Sequence, residues 1–389
     1  KESSAASDVY KRQDLARAAG VPVLGDIELF ARALADRPKD QRPRVVAITG
    51  TNGKSTTTAL IGWVLKSAGL TVHVGGNIGV GVLALPEPTP EAVYVIEVSS
   101  YQLDLTTTFA PDVAILTNIS PDHLDRHGGM DGYVAAKARI FQAQGPDAVA
   151  LIGVDESWGQ GIARDLAQRV ITISTRPSPP RGEGYVAQPG VILNGGEPIA
   201  DLTAARSLPG RHNAQNAAFA YATARALGVS HDAAVAGLLS FPGLAHRMEA
   251  VGRLGSVRFI NDSKATNADA ARQALASYPS VFWIAGGVPK AGGIKDLTDL
   301  FPRIAKAYLI GDAAPAFAET LGDAPHVIAR TLDDAVAAAA ADAASADGDR
   351  IVLLTPACAS FDRFKDFEAR GEAFRAAVLA LGAVPETAS

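Results

Sequence analysis

The chain has 389 residues, 48% of them hydrophobic, which is enough for two or three domains with full cores. Its formal net charge is −5 without a long basic run, so nothing indicates binding to nucleic acid or to a membrane surface. A single cysteine, Cys358, excludes an intramolecular disulfide, and no apolar run is long enough to span a membrane. We therefore expect a monomeric cytoplasmic protein with small-molecule partners.

The first segments are too short to form a domain. We interpret residues 1–13, which are polar and without a clear period, as a tail without function that need not be native. Residues 14–35 are predicted to form a helix, a short strand at 21–26 and a second helix. A charged, proline-bounded linker follows at 37–43, and the first full domain is predicted to begin at residue 44.

A glycine turn that joins an apolar strand to a helix is the most informative stretch. Its glycines let backbone N–H groups approach phosphate oxygens, Lys54 can reach the β- and γ-phosphates, and Ser55 can hold Mg²⁺. The common G-x-x-x-x-G-K-[ST] pattern would place its first glycine where this chain has Ile48, so the loop is shortened. A turn without a ligand is disfavoured, because Lys54 and Ser55 stand at the required offsets. The predicted phosphate loop comprises Gly50, Thr51, Asn52, Gly53, Lys54, Ser55 and Thr56.

Strands and helices alternate after this turn. The predicted strands are 44–49, 71–74, 93–98, 113–118 and 148–152, and the predicted helices are 55–68 and 131–143. The strands are continuous Val/Ile/Leu runs, which favours a parallel sheet covered on both faces, with ligands at the carboxyl ends of its strands. Residues 170–203 are predicted to form an antiparallel appendage, and two helices follow at 212–227 and 231–240.

The alternation resumes after a break at Phe241-Pro242-Gly243. The predicted strands are 257–260, 281–285, 307–310, 326–328 and 351–354, and the helices are 267–277, 297–305, 314–321, 332–344 and 366–381. The fold class is therefore α/β: a central P-loop ATPase domain with a mainly parallel sheet over 44–243, then a Rossmann-like C-terminal α/β domain over 244–389.

Polar residues follow two strands of the central domain. Glu97 ends one strand, where its carboxylate can help to hold Mg²⁺ opposite Ser55, although a lone glutamate there is often only solvated. His123 follows the next strand and can bind metal as a neutral imidazole. Asp122 and Asp125 beside it are interpreted as turn and capping residues.

Three further features have competing structural explanations. Lys137, flanked by alanines in a helix, is interpreted from the residues alone as a surface lysine. Asn213 and Asn216 share one helix face and can read an adenine edge or phosphates, although capping also explains Asn213. Arg247, at the domain boundary, can reach a γ-phosphate, but an arginine at a hinge is more often a salt-bridge partner.

Polar clusters also end three strands of the C-terminal domain. They are Asn261-Asp262-Ser263-Lys264-Ala265-Thr266-Asn267, then Gly286-Gly287-Val288-Pro289-Lys290, and then 355–371. Since all three fall at one edge of a sheet, they favour a ligand site, where Lys290 can meet a carboxylate. A nucleophilic role for Cys358 is rejected, because no histidine lies near it in the sequence.

Taken together, the chain from about 14 to 382 resembles the Mur ligases, which activate a carboxylate with ATP. The loop Thr-Gly-Thr-Asn-Gly-Lys-Ser-Thr is shared with the related folylpolyglutamate synthases. The Asn-Asp-Ser-Lys-Ala-Thr-Asn block and the Pro-Ala-Cys-Ala-Ser-Phe-Asp-x-Phe block resemble the D-glutamate-adding branch. The resemblance implies ligation of D-glutamate to UDP-N-acetylmuramoyl-L-alanine in peptidoglycan synthesis, through an acyl phosphate.

The resemblance also implies residue roles. ATP and a first Mg²⁺ would be served by Lys54, Ser55 and Glu97, and a second Mg²⁺ by His123 and a carbamylated Lys137. The muropeptide would contact Asn77 and His123; the nucleotide would contact Asn213, Asn216, Arg247, Asp262 and Lys264; and D-glutamate would contact Thr266, Lys290, Ser360, Phe361 and Phe367. The catalytic set would be Lys54, Glu97, His123, Lys137 and Arg247. No general base is assigned.

One departure from the family pattern concerns the domain that binds the UDP moiety. Residues 14–43 resemble only its last segment plus a linker, so we expect this chain to bind ATP but to use the UDP-linked substrate poorly. The alternatives are a folylpolyglutamate synthase-like ligase, a nucleotide-binding fragment without turnover, and an ordinary P-loop kinase. The cysteine-containing block near 358 speaks against the first, and the shortened loop and second α/β domain speak against the last.

Overall fold

A computed structural model of the chain describes residues 12, 13, 15, 16, 18–176, 182–205, 207–290, 292–347 and 350–386. These residues divide into two compact units. The first comprises the described residues up to Leu202 together with Gln215–Leu238, and the second comprises Thr203–Ala214 together with those from Leu239 onward. None of the helices in the described part is long and apolar enough to cross a membrane. The domain boundaries at residues 44 and 244 stay predictions.

The described part of the first unit contains a nine-stranded sheet with the order β2-β3-β1-β4-β5-β6-β7-β8-β9. Its strands are β1 Arg44–Thr49, β2 Thr71–Gly76, β3 Ala92–Glu97, β4 Val113–Leu116, β5 Val149–Gly153, β6 Arg169–Ser174, β7 Gly184–Gln188, β8 Val191–Asn194 and β9 Glu197–Asp201. Every pairing from β2 to β7 is parallel. The central strands β3, β4 and β5 are buried along their whole length, as the continuous apolar runs predicted.

The prediction of an antiparallel appendage over 170–203 is wrong for its first half. Strands β6 and β7 extend the parallel sheet, and only β8 and β9 are antiparallel. Gly195 and Gly196 join β8 to β9 with φ of 59° and 92°, the positive values that a tight hairpin requires. Strand direction depends on the connection between strands rather than on composition. The short strands and frequent turn residues of this segment therefore did not show which pairs are parallel.

The sequence predicted some helices of this part of the chain and missed others. They are α1 Asp26–Ala35, α2 Lys54–Ser67, α3 Ser100–Asp104, α4 Leu124–His127, α5 Met130–Ala138, α6 Ser157–Asp165, α7 Gly210–Ala226 and α8 His231–Leu239. Helices α3, α4 and α6 were not predicted; the first two are too short to show a helical period. The predicted strand at 21–26 is wrong: residues 21–25 have no regular structure, and Pro22 cannot donate to a sheet.

The described part of the second unit contains a seven-stranded sheet with the order β14-β13-β12-β15-β11-β10-β16. Its strands are β10 Glu249–Leu254, β11 Val257–Asn261, β12 Val281–Gly286, β13 Ile304–Ile310, β14 His326–Ile328, β15 Ile351–Leu354 and β16 Val384–Pro385. The five strands from β14 to β11 pair in parallel, while β10 and β16 are antiparallel. The Rossmann-like sheet was predicted, but its antiparallel edge was not.

Helices cover both faces of this second sheet. They are α9 Ala268–Ala276, α10 Ala314–Leu321, α11 Leu332–Ala344 and α12 Phe367–Ala380. Side chains of α9 and α10 pack around Trp283 on one face, and side chains of α11 and α12 pack around Phe259 on the other. The helix predicted at 297–305 is present as a 3₁₀ helix over Lys295–Arg303, which carries Pro302.

Candidate active site

The phosphate loop lies between the end of β1 and the start of α2, and its two glycines are required by its geometry. Gly50 has φ of 146°, and a Cβ atom there would lie 1.9 Å from the Thr117 Oγ1. Gly53 has φ of 81° and directly precedes the first residue of α2. The phosphate loop therefore leads directly into a helix N-terminus, the arrangement that favours a bound phosphate.

The residues that follow β4 hold this loop in shape. Asn118 Oδ1 accepts a hydrogen bond of 2.9 Å from the Asn52 N–H, and Thr117 Oγ1 donates one of 2.7 Å to the Asn52 carbonyl. Thr51 Oγ1 donates to the Ser120 carbonyl over 3.1 Å. Sequence reasoning missed these partners; their only signal was a polar run directly after a buried strand.

Lys54 lies over the loop rather than in solvent. Its Nζ donates to the carbonyls of Gly50 and Thr51 at 3.0 and 2.8 Å. Backbone carbonyls hold the ammonium group beside the loop N–H groups, so the cationic and N–H donors that a polyphosphate needs are close together.

Glu97 ends β3, next to β1 in the sheet, and presents one unsatisfied oxygen. Its Oε1 accepts a hydrogen bond of 2.8 Å from Asn77 Nδ2. Its Oε2 is buried and has no hydrogen-bond partner among the described residues. Burying a carboxylate oxygen without a partner is costly, and a hard cation such as Mg²⁺ would remove that cost.

Four of the predicted site residues line one pocket of the first unit, which has a volume of about 340 Å³. The predicted ones are Lys54, Asn77, His123 and Lys137; those that sequence reasoning did not place there are Ser99, Ser100, Tyr101, Asp122 and Tyr133. Within the described residues, no three His, Cys, Asp or Glu side chains converge so that they alone could hold a metal ion. A magnesium ion here would thus depend on further oxygen ligands, such as phosphates and water.

Lys137 is buried, so its interpretation as a surface lysine is wrong. Only 1% of it is exposed, and its Nζ donates to the Gly50 carbonyl over 2.6 Å. The ammonium also lies 4.7 Å from the centre of the Tyr133 ring. Burial, with the nearby Lys54 charge, lowers the pKa of Lys137 to about 6. Burial therefore favours the uncharged, nucleophilic form of this amine.

His123 lies at the rim of the pocket in a left-handed backbone conformation, with φ of 50°. Its Nδ1 is 3.2 Å from the Tyr101 hydroxyl, and its Nε2 is 3.5 Å from an Asp122 carboxylate oxygen. Asp122 also accepts a hydrogen bond of 3.1 Å from the His123 N–H, which fits the predicted turn role. Asp125 lies in the first turn of α4, but the N-cap residue is His123 and no side chain caps this helix, so the predicted capping role of Asp125 is wrong.

The two asparagines of α7 have different surroundings. Asn216, in the first unit, accepts a hydrogen bond of 3.1 Å from Thr57 Oγ1, and a Cβ atom on Gly53 would lie 2.7 Å from its Oδ1. It is therefore packed against the phosphate loop. Asn213, in the second unit, donates to the Pro209 carbonyl over 3.0 Å at the start of its own helix. This bond is not a helix cap, because Asn213 is the fourth residue of α7 and its side chain donates to a carbonyl.

In the second unit, Asp262 is buried at the end of β11. It accepts hydrogen bonds from Thr355 Oγ1 at 3.0 Å and from the Met248 N–H at 3.3 Å. Burial raises the pKa of Asp262 to about 7, although the Arg247 charge acts in the opposite direction. Lys264 Nζ lies 3.7 Å from the centre of the Phe367 ring, a cation–π contact between two predicted site residues.

Arg370, which sequence reasoning did not assign, joins the three strand ends that carry the polar clusters. It is 1% exposed, and its guanidinium donates to Ser263 Oγ at 3.0 Å and to the Cys358 carbonyl at 3.0 Å. A longer bond of 3.4 Å reaches the Gly286 carbonyl. The ends of β11, β12 and β15 therefore meet at one edge of the sheet, where the clusters were predicted to form a site.

The remaining predicted residues of this edge differ in exposure. Ser360 is buried, Lys290 is exposed, and Phe361 is 73% exposed. The Thr266 N–H donates to the Lys264 carbonyl over 2.8 Å. Burial raises the pKa of the Cys358 thiol to about 12, which agrees with the rejection of a nucleophilic role.

A shortened phosphate loop on a parallel sheet, with a second α/β unit that gathers polar strand ends, defines the chain as an α/β nucleotide-binding protein of the ligase type. Residues 48–224 match the model of the Mur ligase middle domain, and residues 246–358 match that of the Mur ligase, glutamate ligase domain.

The comparisons with individual proteins are more specific. The chain is 62% identical to the UDP-N-acetylmuramoylalanine–D-glutamate ligase of Caulobacter vibrioides over 375 residues, which are 95% of this chain and 80% of that protein. It is 59% identical to the protein of the same name from Phenylobacterium zucineum over 370 residues, 93% of this chain and 79% of that one. The chain therefore belongs to the Mur ligase family, within the group of UDP-N-acetylmuramoylalanine–D-glutamate ligases.

Solved structures of lower identity agree on the fold. The MurF ligase of Thermotoga maritima, in complex with ADP, superimposes with a TM-score of 0.68 at 18% identity, covering 92% of this chain and 86% of that one. The UDP-N-acetylmuramate-alanine ligase MurC of the same organism gives a TM-score of 0.64 at 18% identity, covering 94% and 81%.

Proposed function

We propose that the chain ligates D-glutamate to UDP-N-acetylmuramoyl-L-alanine with hydrolysis of ATP to ADP and phosphate. The observation that carries the proposal is the cluster of Lys54, Glu97 and Lys137 around the phosphate loop, in a chain of this family. The cluster offers N–H groups and an ammonium group for phosphates, an unsatisfied carboxylate for a cation, and a reactive amine. An ordinary kinase site does not need the last of these.

The reaction would proceed in two steps. The L-alanine carboxylate of the UDP-linked substrate attacks the γ-phosphorus of ATP, giving an acyl phosphate and ADP. The neutral amine of D-glutamate then attacks the acyl carbon, and phosphate leaves from the tetrahedral intermediate. Lys54 and the loop N–H groups would balance the charge on the phosphates, and Arg247 would act as a second clamp.

The residues beside the loop fit a magnesium ion. Two oxygen donors are of the type that Mg²⁺ prefers: Glu97 Oε2, which has no hydrogen-bond partner in the described part of the chain, and the hydroxyl of Ser55, the second residue of α2. When bound, the ion would polarise the phosphate oxygens and spread their charge. Asn77 would keep Glu97 oriented through its 2.8 Å hydrogen bond.

A carbamylated Lys137 would complete the set of oxygen donors. Its pKa of about 6 leaves the amine uncharged at pH 7, the form that adds to CO₂, whereas an ordinary lysine is almost fully protonated. Addition of the neutral amine to CO₂ forms an N–C bond and releases one proton, so the uncharged amine becomes a negatively charged carbamate. His123 and this carbamate would then serve a second Mg²⁺, and His123 also the muropeptide.

The substrate roles in the second unit follow from its polar sheet edge. We infer that Asp262 and Lys264 hold the nucleotide, as do Asn213 and Asn216. The exposed Lys290 would pair with a carboxylate of D-glutamate. The other contacts proposed for D-glutamate are Thr266, Ser360, Phe361 and Phe367.

The proposal is tested by measuring phosphate release from ATP with the full-length gene product. The assay compares UDP-N-acetylmuramoyl-L-alanine plus D-glutamate, folate plus L-glutamate, and no acceptor. We expect an increase only in the first arm. With ¹⁸O in the L-alanine carboxylate, the released phosphate should carry the label, because the acyl phosphate transfers that oxygen. Release that is independent of acceptor would contradict a ligase, and unlabelled phosphate would contradict the acyl phosphate.

The role of Lys137 has its own test. Lys137→Ala should lower activity by about two orders of magnitude or more, because the negatively charged carbamate beside the reacting phosphate is lost. Acetate or propionate should restore part of it by supplying the missing carboxylate. In the unmodified protein, ¹³C-bicarbonate should give a carbamate resonance that the variant lacks. Lys306→Ala, which removes a surface pair with Asp342, is the matched control. An active Lys137→Ala variant would disprove carbamylation as a requirement.

A further inference from the structure

Tyr101 makes a close contact with a proposed catalytic histidine, and the proposed function gives it no role. Its hydroxyl lies 3.2 Å from His123 Nδ1, and the two rings meet edge to face at 5.1 Å and 78°. The same ring contacts His127 at 5.7 Å, and the guanidinium of Arg126 lies 5.8 Å from its centre. The phenol is thus surrounded by side chains of the segment that carries His123.

His123 has few other constraints on its ring. Its side chain is 47% exposed, and it precedes the four-residue helix α4. Its second ring nitrogen, Nε2, lies 3.5 Å from Asp122, too far for a good hydrogen bond. A half-exposed imidazole can rotate and can exchange between two tautomers. A hydroxyl held at Nδ1 would restrict this rotation, whichever of the two atoms donates.

The segment that carries Tyr101 is itself well anchored. Helix α3 begins with a capping box, in which Ser99 Oγ accepts from the Gln102 N–H and Gln102 Oε1 accepts from the Ser99 N–H at 3.0 Å. Gln102 Nε2 also donates to Asp26 at 3.1 Å. Ser100 Oγ lies 3.1 Å from Nε2 of His127, whose side chain is 2% exposed. Helix α3 is therefore tied both to α1 and to α4.

We propose that Tyr101 is a positioning residue for the ligation reaction, whose hydroxyl fixes the orientation of the His123 ring. The inference rests on the proposed function, since it concerns how His123 is presented to substrate or metal. Tyr101 acts through His123 rather than on a reacting atom. Its hydroxyl is the only part of the side chain that the role requires.

The chain contains a matched control for this contact. Tyr221, in the same unit, places its hydroxyl 2.9 Å from His231 Nδ1, and those rings meet at 5.8 Å and 80°. Tyr101→Phe and Tyr221→Phe therefore remove the same kind of hydrogen bond and keep the ring. Only the first should affect the reaction. Equal Tm values would show that both variants remain folded.

We expect Tyr101→Phe to change kcat more than it changes the KM values. Tyr101→Phe should lower kcat roughly five-fold, the factor expected for one neutral hydrogen bond, with the KM values for ATP and D-glutamate changed less than about two-fold. Tyr221→Phe should leave both unchanged. In a His123→Ala background, Tyr101→Phe should have no further effect, because the residue it positions is gone. An equal kcat loss in that background would overturn the proposal, as would an unchanged kcat.

Imidazole ¹⁵N chemical shifts give a readout that does not need turnover. We expect the same His123 ring shifts in the unmodified protein and in Tyr221→Phe, and different ones in Tyr101→Phe, where Nδ1 loses its hydrogen-bond partner. Identical His123 shifts in all three proteins would also overturn the proposal. If the unmodified protein shows no acceptor-dependent phosphate release, the proposed function fails. The shifts then still decide whether Tyr101 sets the His123 ring.

Discussion

At the scale of single residues, Glu97 offers the most direct test of metal binding. One of its oxygens is bound to Asn77, and the other is buried without a partner in the described part of the chain. Glu97→Gln keeps the shape and the Asn77 contact but removes the charge that would hold Mg²⁺. We expect the Mg²⁺ concentration for half-maximal activity to rise about ten-fold or more. Titration of activity with MgCl₂ at saturating substrates measures it.

Glu183→Gln is the control for this prediction. Glu183 is an exposed carboxylate of the same unit and pairs with Arg169. Its loss should leave the Mg²⁺ titration unchanged, because surface pairs are weak and it lies outside the pocket. An unshifted titration in Glu97→Gln would contradict the assignment of Glu97 to a metal site.

Functional residues could be predicted where their spacing in the sequence matches a known chemical motif. The contacts that surround each residue could not be predicted. Gly53, Lys54 and Ser55 follow from their spacing alone, whereas Gly50 departs from the common pattern. The burial of Lys137 does not, because small alanines on both sides give no signal of which helix face is covered. Tyr101 and Arg370 were missed for a related reason. Each acts through partners on distant segments, which the local sequence does not reveal.

At the scale of elements, one carboxylate fastens α1 to the rest of the first unit. Glu28 is fully buried and accepts hydrogen bonds from the N–H groups of Thr107 and Thr108 at 2.8 and 3.0 Å. Arg32 adds a 2.9 Å ion pair from the same helix. Burial alone would raise the pKa of Glu28, but these hydrogen bonds outweigh it and lower the pKa to about 2.

Glu28→Gln should therefore destabilise the first unit in a pH-dependent way. A carboxyl group whose folded pKa lies below its ordinary value of 4.5 stabilises the fold fully above that value. Its contribution is lost as the pH falls through the folded pKa. We expect the variant to lower the free energy of unfolding by about 3 kcal/mol at pH 7, and the difference to narrow between about pH 5 and pH 2. Urea unfolding at several pH values measures it.

The control for this prediction is Glu91→Gln, at an exposed position of the same unit. It should change the free energy of unfolding by less than about 0.5 kcal/mol. A loss in Glu28→Gln that stayed constant down to pH 2 would show that shape, rather than charge, fastens α1.

Elements with a long, continuous apolar pattern were predicted within a few residues, whereas connections were not. Strand β1 and helix α11 match their predicted ranges. A strand that is buried over nearly its whole length and a helix of 13 residues both leave a clear apolar pattern in the sequence. The direction of β6 and β7 was wrong, since it depends on the crossover between them. The short helix α3 was missed, although its Ser-x-x-Gln capping box is visible at Ser99 in the sequence.

At the scale of the whole molecule, alternation of strands and helices predicted two α/β units but not the order of their strands. The parallel pairing of β1 with both β3 and β4 brings Glu97 and Thr117 to either side of the phosphate loop. Strand order depends on the connections between strands, which leave no local pattern in the sequence. The site could be proposed from its motifs, but its geometry required the sheet.

Nucleotide binding should be detectable as an increase in the thermal stability of the whole protein. A ligand that binds only the folded state adds RT ln(1 + [L]/Kd), about 2.7 kcal/mol at a hundred-fold excess over Kd. For a unit of this size, 1 kcal/mol raises Tm by roughly 2–4 °C, so a non-hydrolysable ATP analogue with Mg²⁺ should raise it by about 5–10 °C. Lys54→Ala should lose most of that shift, because its Nζ lies directly over the loop. Lys290→Ala, an exposed lysine proposed for D-glutamate, should keep it. Scanning calorimetry with and without the analogue separates these outcomes, and an equal shift in the Lys54→Ala protein would place the nucleotide away from the loop.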